Sequence, residues 1–309
     1  MMKRLDRSDC EKIKRIKNEV RAMLEERPDG YKSSLENLAC EKFEYLMGLD
    51  EQYFAQLRYH TYYFDSDNYL GYFAGLYETR DLARWKSLTE GIPRWLVLSD
   101  PSSIEHMGYT WGEYLISQNT MRFQGIVNTL YREGILDELK KRKHIKVMEI
   151  GAGYGGLIYN LQKILPDVAI EFTIVDLPET LLFSKSYLAL TANTEKIKFL
   201  PNYKFNTLRD QYDLVLNIAT FQQLTKEQLD MYLDFIQKNL RGWLYSQNVD
   251  RYRLNPSPIN VSEELKKRFS VKEIHQKRDA KRIAKDLIKK YILRRLPPGY
   301  HEYICTTKS

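Results

Sequence analysis

At 309 residues the chain can bury a substantial core, as one large domain or as a core with a smaller module. With 43% hydrophobic and 29% charged residues, its composition excludes a chain that stays disordered for want of apolar side chains. The formal net charge is +7 and no apolar run of 18 residues occurs, so a membrane-spanning helix is not expected.

Cys10, Cys40 and Cys305 lie far apart and are odd in number. That is not a disulfide framework, nor do they approach histidines at metal-ligand spacing, so a reducing, cytoplasmic setting is expected and no metal is. The opening stretch MMKRLDRSDCEKIKRIKNEV alternates charge with single apolar residues and lacks a signal peptide's apolar core. Residues 261–309 carry 14 Lys/Arg against six Asp/Glu, and Lys140, Lys141, Arg142 and Lys143 form a smaller knot. Such an excess suits a solvated helix face, and equally attraction to nucleic acid, an anionic membrane surface or an acidic small substrate.

Along the chain, Ile13, Ile16, Val20 and Leu24 share one face of a predicted helix over 7–27, closed by RPDG. A second helical region is expected over about 34–60. Tyr62, Tyr63, Phe64, Tyr69, Tyr72, Phe73 and Tyr77 then crowd together, as helices packed on one another with a cleft between them would require. Gly, Pro, Ser and Asp break the pattern between Gly91 and Trp111, where irregular chain is expected. This stretch carries His106, Tyr109 and Trp111, side chains suited to gripping a polar ring. A helix over 119–140 follows, with Phe123, Ile126, Val127, Leu130 and Ile135 inward and a basic last turn.

From there strands and helices alternate. Apolar segments at 145–150, 169–175, 196–200, 212–218, 242–249, 269–274 and 301–307 are separated by helical stretches at 156–165, 179–192, 226–239 and 262–268. This rhythm predicts an α/β fold: a doubly wound, seven-stranded, mostly parallel sheet behind an α-helical N-terminal region. The expected division is a helical region over 1–118, serving as acceptor, lid or oligomerisation module, and a nucleotide-binding Rossmann-like domain over 119–309.

The most informative passage is VMEIGAGYGGLIYNLQKILP. A strand ends in Glu149-Ile150, and Gly151, Ala152, Gly153, Tyr154, Gly155 and Gly156 turn the chain straight into an amphipathic helix. Glycines there let backbone N–H groups approach a ligand. The next strand ends in Asp176, placed to accept ribose hydroxyls. The spacing also satisfies the dinucleotide fingerprint. Against that reading, Glu149 would repel a pyrophosphate yet suits an amino-acid ammonium. The unit also begins about 145 residues in, and too few parallel strands follow for two mirrored halves.

The stretch Glu-Ile-Gly-Ala-Gly-Tyr-Gly over 149–155 resembles the first motif, (D/E)-x-G-x-G-x-G, of class I S-adenosylmethionine-dependent methyltransferases. The wording VMEIGAGYGGL, FTIVDLPETL and YDLVLNIATFQQL is similar to bacterial sugar O-methyltransferases, and the resemblance covers about residues 120–309. It implies S-adenosyl-L-methionine as cofactor and S-adenosylhomocysteine as product. It also implies Glu149 toward the methionine part, Asp176 on the ribose, Leu177 over the adenine, and Asn217 and Ile218 bordering cofactor and acceptor. The antiparallel last strand is implied by HEYICTTKS. The stretch RDAKRIAKDLIKKYILRRLPPG departs from the family by lengthening the link between the last two strands. A lid, a homodimer contact, a patch on an anionic membrane surface and packing on its own core all remain open for it.

Methylating a neutral hydroxyl requires a base or a metal. His106 is the first candidate base and Asp250, after the fifth strand, the second. His144 precedes the first strand and reads as structural, whereas His275 and His301 fall near the active edge. Asn217, Gln222, Gln223, Gln247 and Asn248 suit either hydroxyl recognition or satisfaction of loop backbone. The expected activity is O-methylation of a sugar hydroxyl on a glycoconjugate, nucleotide sugar or glycosylated metabolite. Methylation of another small-molecule O or N acceptor, or a noncatalytic cofactor-binding role, stands as the alternative. Nucleic acid is not the expected acceptor, because the fourth strand ends in Asn-Ile-Ala-Thr without the nucleic-acid tetrad.

Overall fold

The computed structural model describes residues 3–28, 43–58, 78–105, 108–251, 258–274 and 300–308. Seven strands form one sheet, in the spatial order 197–201, 169–176, 144–150, 212–218, 240–248, 301–307 and 269–273, and a separate two-stranded hairpin precedes it. Contacts divide the chain into two compact units, Met1–Leu208 and Arg209–Ser309.

In the first unit, helix α1 (Arg7–Glu25) is capped by the Asp6 carboxylate, which accepts the Asp9 N–H, and it buries Ile13, Ile16 and Val20. These are three of the four residues whose spacing predicted its inner face. The expected helix over 34–60 is described only in part, with a 3-10 turn at Glu51–Gln56. The crowded aromatics from Tyr62 to Tyr77 lie outside the described residues. Helix α2 (Glu78–Thr89) follows. The stretch expected to be irregular ends in an ordered strand, β1 (Tyr109–Trp111), paired antiparallel as a hairpin with β2 (Tyr114–Ile116) just beyond it. Gly112, at φ 59°, forms its turn. The helix expected over 119–140 is two, α3 (Gln118–Arg132) and α4 (Ile135–Lys140). Gly134 at φ 73° separates them, because a left-handed residue ends the helical hydrogen-bond run.

Strands β3 (His144–Ile150), β4 (Ala169–Asp176) and β5 (Ile197–Pro201) are parallel, in register from His144 opposite Ala169 and Phe172 opposite Ile197. Their near-continuous apolar runs are what a sheet covered on both faces needs. Helix α5 (Gly156–Ile164) links β3 to β4, and α6 (Pro178–Thr191) links β4 to β5. Helix α1 docks on α6, held by Lys185 paired with Glu19 and by Arg27 Nη1 at 2.8 Å from Glu179 Oε1. The Tyr203 hydroxyl donates to the Met23 carbonyl at 2.6 Å.

In the second unit, β6 (Tyr212–Ile218) lies parallel to β7 (Leu240–Asn248), with α7 (Lys226–Asn239) between them in sequence. Helix α8 (Val261–Arg268) leads into β8 (Phe269–Glu273), and β9 (His301–Thr307) runs antiparallel to both β7 and β8. Cys305 sits opposite Leu244 on one side and Val271 on the other, fully buried, and burial pushes its thiol up to about 12. Gly242 marks a close strand approach, since a Cβ there would stand 2.1 Å from the Asp213 carbonyl oxygen. The strand order and the antiparallel ninth strand are those of the doubly wound class I methyltransferase fold. The basic stretch 278–299 lies outside the described residues, and among those described no helix is long and apolar enough to cross a membrane.

Candidate cofactor site

In the first unit the glycine turn owes its spacing to backbone conformation. Gly151, Gly153 and Gly155 have φ of 76°, 57° and 85°, a left-handed alternation that side chains with a Cβ resist. Gly151 N–H donates to the Val175 carbonyl at 2.8 Å and Gly155 N–H to the Ala152 carbonyl at 2.9 Å. A Cβ on Gly153 would meet nothing within 4 Å, whereas one on Gly155 would lie 2.8 Å from Leu188 Cδ1. One glycine therefore faces open space and the other is needed for packing.

Glu149, at the end of β3, is 3% exposed, and its Oε2 has no hydrogen-bond partner. Burial and then the nearby Asp176 raise its carboxyl to about 8, opposed by the charge of Arg122 on α3. An orphaned carboxylate oxygen in such a place costs free energy unless a donor meets it. Asp176 ends the neighbouring strand, and its Oδ2 accepts the Gly153 N–H at 3.1 Å while Oδ1 accepts the Leu177 N–H at 2.8 Å. Burial raises it to about 7 against those hydrogen bonds. The Thr180 side chain and the Ala152 N–H also donate to this carboxylate. Leu177, half-buried, caps α6.

One strand further, Pro201 lies opposite Asp176, and the next residue, Asn202, holds a shielded Oδ1 without a hydrogen-bond partner. Sequence reasoning missed both Asn202 and Arg122. Asn202 becomes visible only once the β4–β5 register is known, while Arg122 carried a signal as a basic residue beside Phe123 on the inner stripe of its helix. Ala152 is buried in the turn. The Tyr154 side chain turns inward, 6% exposed, with its ring 4.8 Å from Tyr187 and edge-on to it. Tyr109 is buried while Trp111 remains 46% exposed on the hairpin.

In the second unit the strand-end amides face one another. Asn248 Nδ2 donates to Asn217 Oδ1 at 2.8 Å and to Ser246 Oγ at 2.9 Å. The Val249 N–H donates to Gln222 Oε1 at 2.7 Å and the Phe221 N–H to Asn217 Oδ1 at 3.3 Å. The Gln222 N–H also donates to Asn248 Oδ1 at 3.3 Å, so Asn217, Gln222 and Asn248 each accept from loop backbone. Ile218 is half-buried. After it, Ala219 is left-handed at φ 61° and donates to the Gln247 carbonyl at 2.8 Å.

Asp250 accepts the Ser262 N–H at 2.8 Å and the Ser262 hydroxyl at 2.5 Å, with His301 Nε2 at 3.8 Å. It thereby holds the first turn of α8. His144 sits 2.9 Å from Glu171 Oε1, away from the glycine turn at the other end of β3. His106 and His275 lie outside the described residues. Among the described residues no three His, Cys, Asp or Glu side chains gather as a metal set.

No family model and no curated protein matches the chain. Solved structures it is similar to include a complex of DhpI with S-adenosylhomocysteine (13% identity, 58% of this chain and 85% of that one, TM-score 0.36). The mitomycin 7-O-methyltransferase MmcR aligns at 13% identity over 62% of this chain and 57% of that one, with TM-score 0.34. The magnesium protoporphyrin IX methyltransferase ChlM of Synechocystis PCC 6803 aligns at 11% identity over 75% and 93%, with TM-score 0.43. The chain thus spans little more than half the length of MmcR.

Proposed function

We propose that this protein is an S-adenosylmethionine-dependent methyltransferase acting on a small-molecule O or N acceptor. The carrying observation is the buried, unpartnered Oε2 of Glu149 beside three left-handed glycines. It suits an ammonium group and would repel the pyrophosphate of a dinucleotide. Asp176 holds the ribose hydroxyls, Leu177 covers the base, and the Asn202 Oδ1 accepts an amine N–H at the base's edge. Gly151 through Gly155 bring backbone close to the ligand. Tyr154 supports this turn from behind. The cofactor, when bound, supplies an electrophilic methyl on a sulfonium. The chain's own contribution is alignment of the acceptor and exclusion of water.

In this reading the described part of residues 1–118 borders the cofactor site. Support comes from Arg27, two residues past the end of α1, which pairs with Glu179 two residues past Leu177. A narrower reading, methylation of a sugar hydroxyl, is supported by the wording of the sequence and by the exposed Trp111, whose ring suits the apolar face of a sugar. Because Asp250 is engaged by Ser262, His106 is the better candidate base.

Isothermal titration tests the cofactor. Uptake of S-adenosylhomocysteine with indifference to NAD is expected, and the reverse would overturn the proposal. Screening glycosides, nucleotide sugars, phenols and amines for S-adenosylhomocysteine release then tests the acceptor. Turnover of phenols or amines alone would remove the sugar.

A further inference from the structure

Behind the glycine turn, the only side chain it sends inward besides Ala152 is Tyr154, and its surroundings are specific. The ring lies 2.5 Å from where a Gly156 Cβ would stand, so the absence of a side chain at 156 is what admits it. Tyr187 meets the ring edge-on and Phe123 lies 6.0 Å away. One face carries the guanidinium of Arg58, whose Cζ is 3.7 Å from the ring centroid. Arg58 is 3% exposed, an expensive place for a cation unless aromatic faces and anions compensate it.

The segment presenting Arg58 is itself anchored. Phe54 is fully buried, Lys17 Nζ lies 2.8 Å from Glu51 Oε1, and the Ala55 carbonyl accepts the Glu105 N–H at 2.7 Å. Gln56 Nε2 donates to the Lys3 carbonyl. A guanidinium on a fixed base therefore presses a ring whose backbone lies between Gly153 and Gly155. Backbone hydrogen bonds hold both glycines, Gly153 N–H to Asp176 Oδ2 and Gly155 N–H to the Ala152 carbonyl, and the Tyr154 ring is the side-chain anchor between them.

We propose that Arg58 is a positioning residue for the cofactor turn, acting through its stack on Tyr154 to hold Gly153 and Gly155 in their left-handed, ligand-accepting shape. The proposal rests on the cofactor reading above and assigns the N-terminal segment a part in it. A side chain that merely supports folding lowers the melting temperature and leaves the affinity of the folded protein alone. A positioning residue changes the affinity, because a turn that samples other shapes binds in proportion to its competent fraction.

The test uses the full chain, S-adenosylhomocysteine titrations well below the melting temperature, and the variants Arg58→Met, Arg58→Lys, Tyr154→Leu, Tyr154→Phe and the Arg58→Met/Tyr154→Leu pair. Arg58→Met and Tyr154→Leu are each expected to weaken binding by about tenfold, the scale of a desolvated cation–π contact. The pair is expected to be no weaker than the poorer single variant, because both break one link. Arg58→Lys, which keeps a cation over the ring, recovers part of the loss, and Tyr154→Phe, which keeps the ring, stays within about twofold of the parent. Unchanged affinity in Arg58→Met, or losses that add in the pair, overturns the proposal. Should Arg58→Met fail to fold, a tenfold loss in Tyr154→Phe or parent affinity in Tyr154→Leu does the same. A parent protein that ignores S-adenosylhomocysteine overturns the cofactor reading itself, and this proposal with it.

Discussion

Two sets of polar side chains stand at the carboxyl ends of parallel strands, and they differ in what they leave unmet. After β3, β4 and β5, Glu149 Oε2 and Asn202 Oδ1 are shielded from water without a partner. After β6 and β7, Asn217, Ser246, Asn248 and Gln222 answer one another and the intervening backbone. Among the described residues of Arg209–Ser309, no buried side-chain nitrogen or oxygen lacks a hydrogen bond. The same residue types in equivalent positions can thus serve opposite ends. Unmet groups store a free-energy cost that a ligand relieves, while met groups hold a loop and offer a ligand little.

The largest expected effect tests the unmet side. Glu149→Gln is expected to weaken S-adenosylhomocysteine binding by about 100-fold, or ~2.7 kcal/mol, in line with loss of a buried charge-assisted hydrogen bond. The folded carboxyl titrates near 8 against an ordinary 4.5, so the ligand-free protein binds an extra proton between those values. Its stability is therefore fully present below about 4.5 and lost as pH rises through about 8. Glu149→Gln should flatten that decline in thermal unfolding followed from pH 5 to 9. An ammonium needs the ionised form, so parent affinity should rise over the same range while the variant's stays level. A pH-independent parent curve would mean that the carboxylate is already ionised and met.

Next in size is the met side. Asn248→Ala strands the Gln222 N–H and takes from Asn217 Oδ1 one of its donors, leaving it the Phe221 N–H, at a cost of about 2 kcal/mol. Denaturant unfolding should show this with S-adenosylhomocysteine affinity unchanged within about twofold. A large loss of affinity at full stability would move the amide cluster into the binding site and dissolve the contrast. Within the turn, Gly155→Ala should destabilise by ~1 kcal/mol more than Gly153→Ala. Both bear the left-handed penalty, but only Gly155 is crowded by Leu188. Equal melting temperatures would refute that division of labour. Smallest is Ala219→Gly, expected to gain about 0.5 kcal/mol by relieving a left-handed alanine and measurable as a raised denaturation midpoint.

The sequence made much of this legible because the relevant physics is local. The run from Glu149 to Gly156 announces a turn only glycine can make, and the periodicities of α1, α5 and α7 placed those helices within about two residues. What escaped depends on neighbours distant in the chain. Asn202 matters through strand register, and Arg58 through packing against a ring almost 100 residues away. The use of Asn217, Gln222 and Asn248 stayed open because amides serve ligand and backbone alike until their partners are seen. Gly134 stands in the sequence as a helix breaker within 119–140, and the density of Gly, Pro and Ser around β1 and β2 hides a short hairpin whose turn also requires glycine.

Cys305 offers a further use. Sealed between two strands and held protonated, its sulfur stays inert toward thiol reagents while the antiparallel corner of the sheet is shut. The rate at which a thiol-specific reagent consumes it, followed with Cys10 and Cys40 replaced by serine, becomes a clock for how often that corner opens.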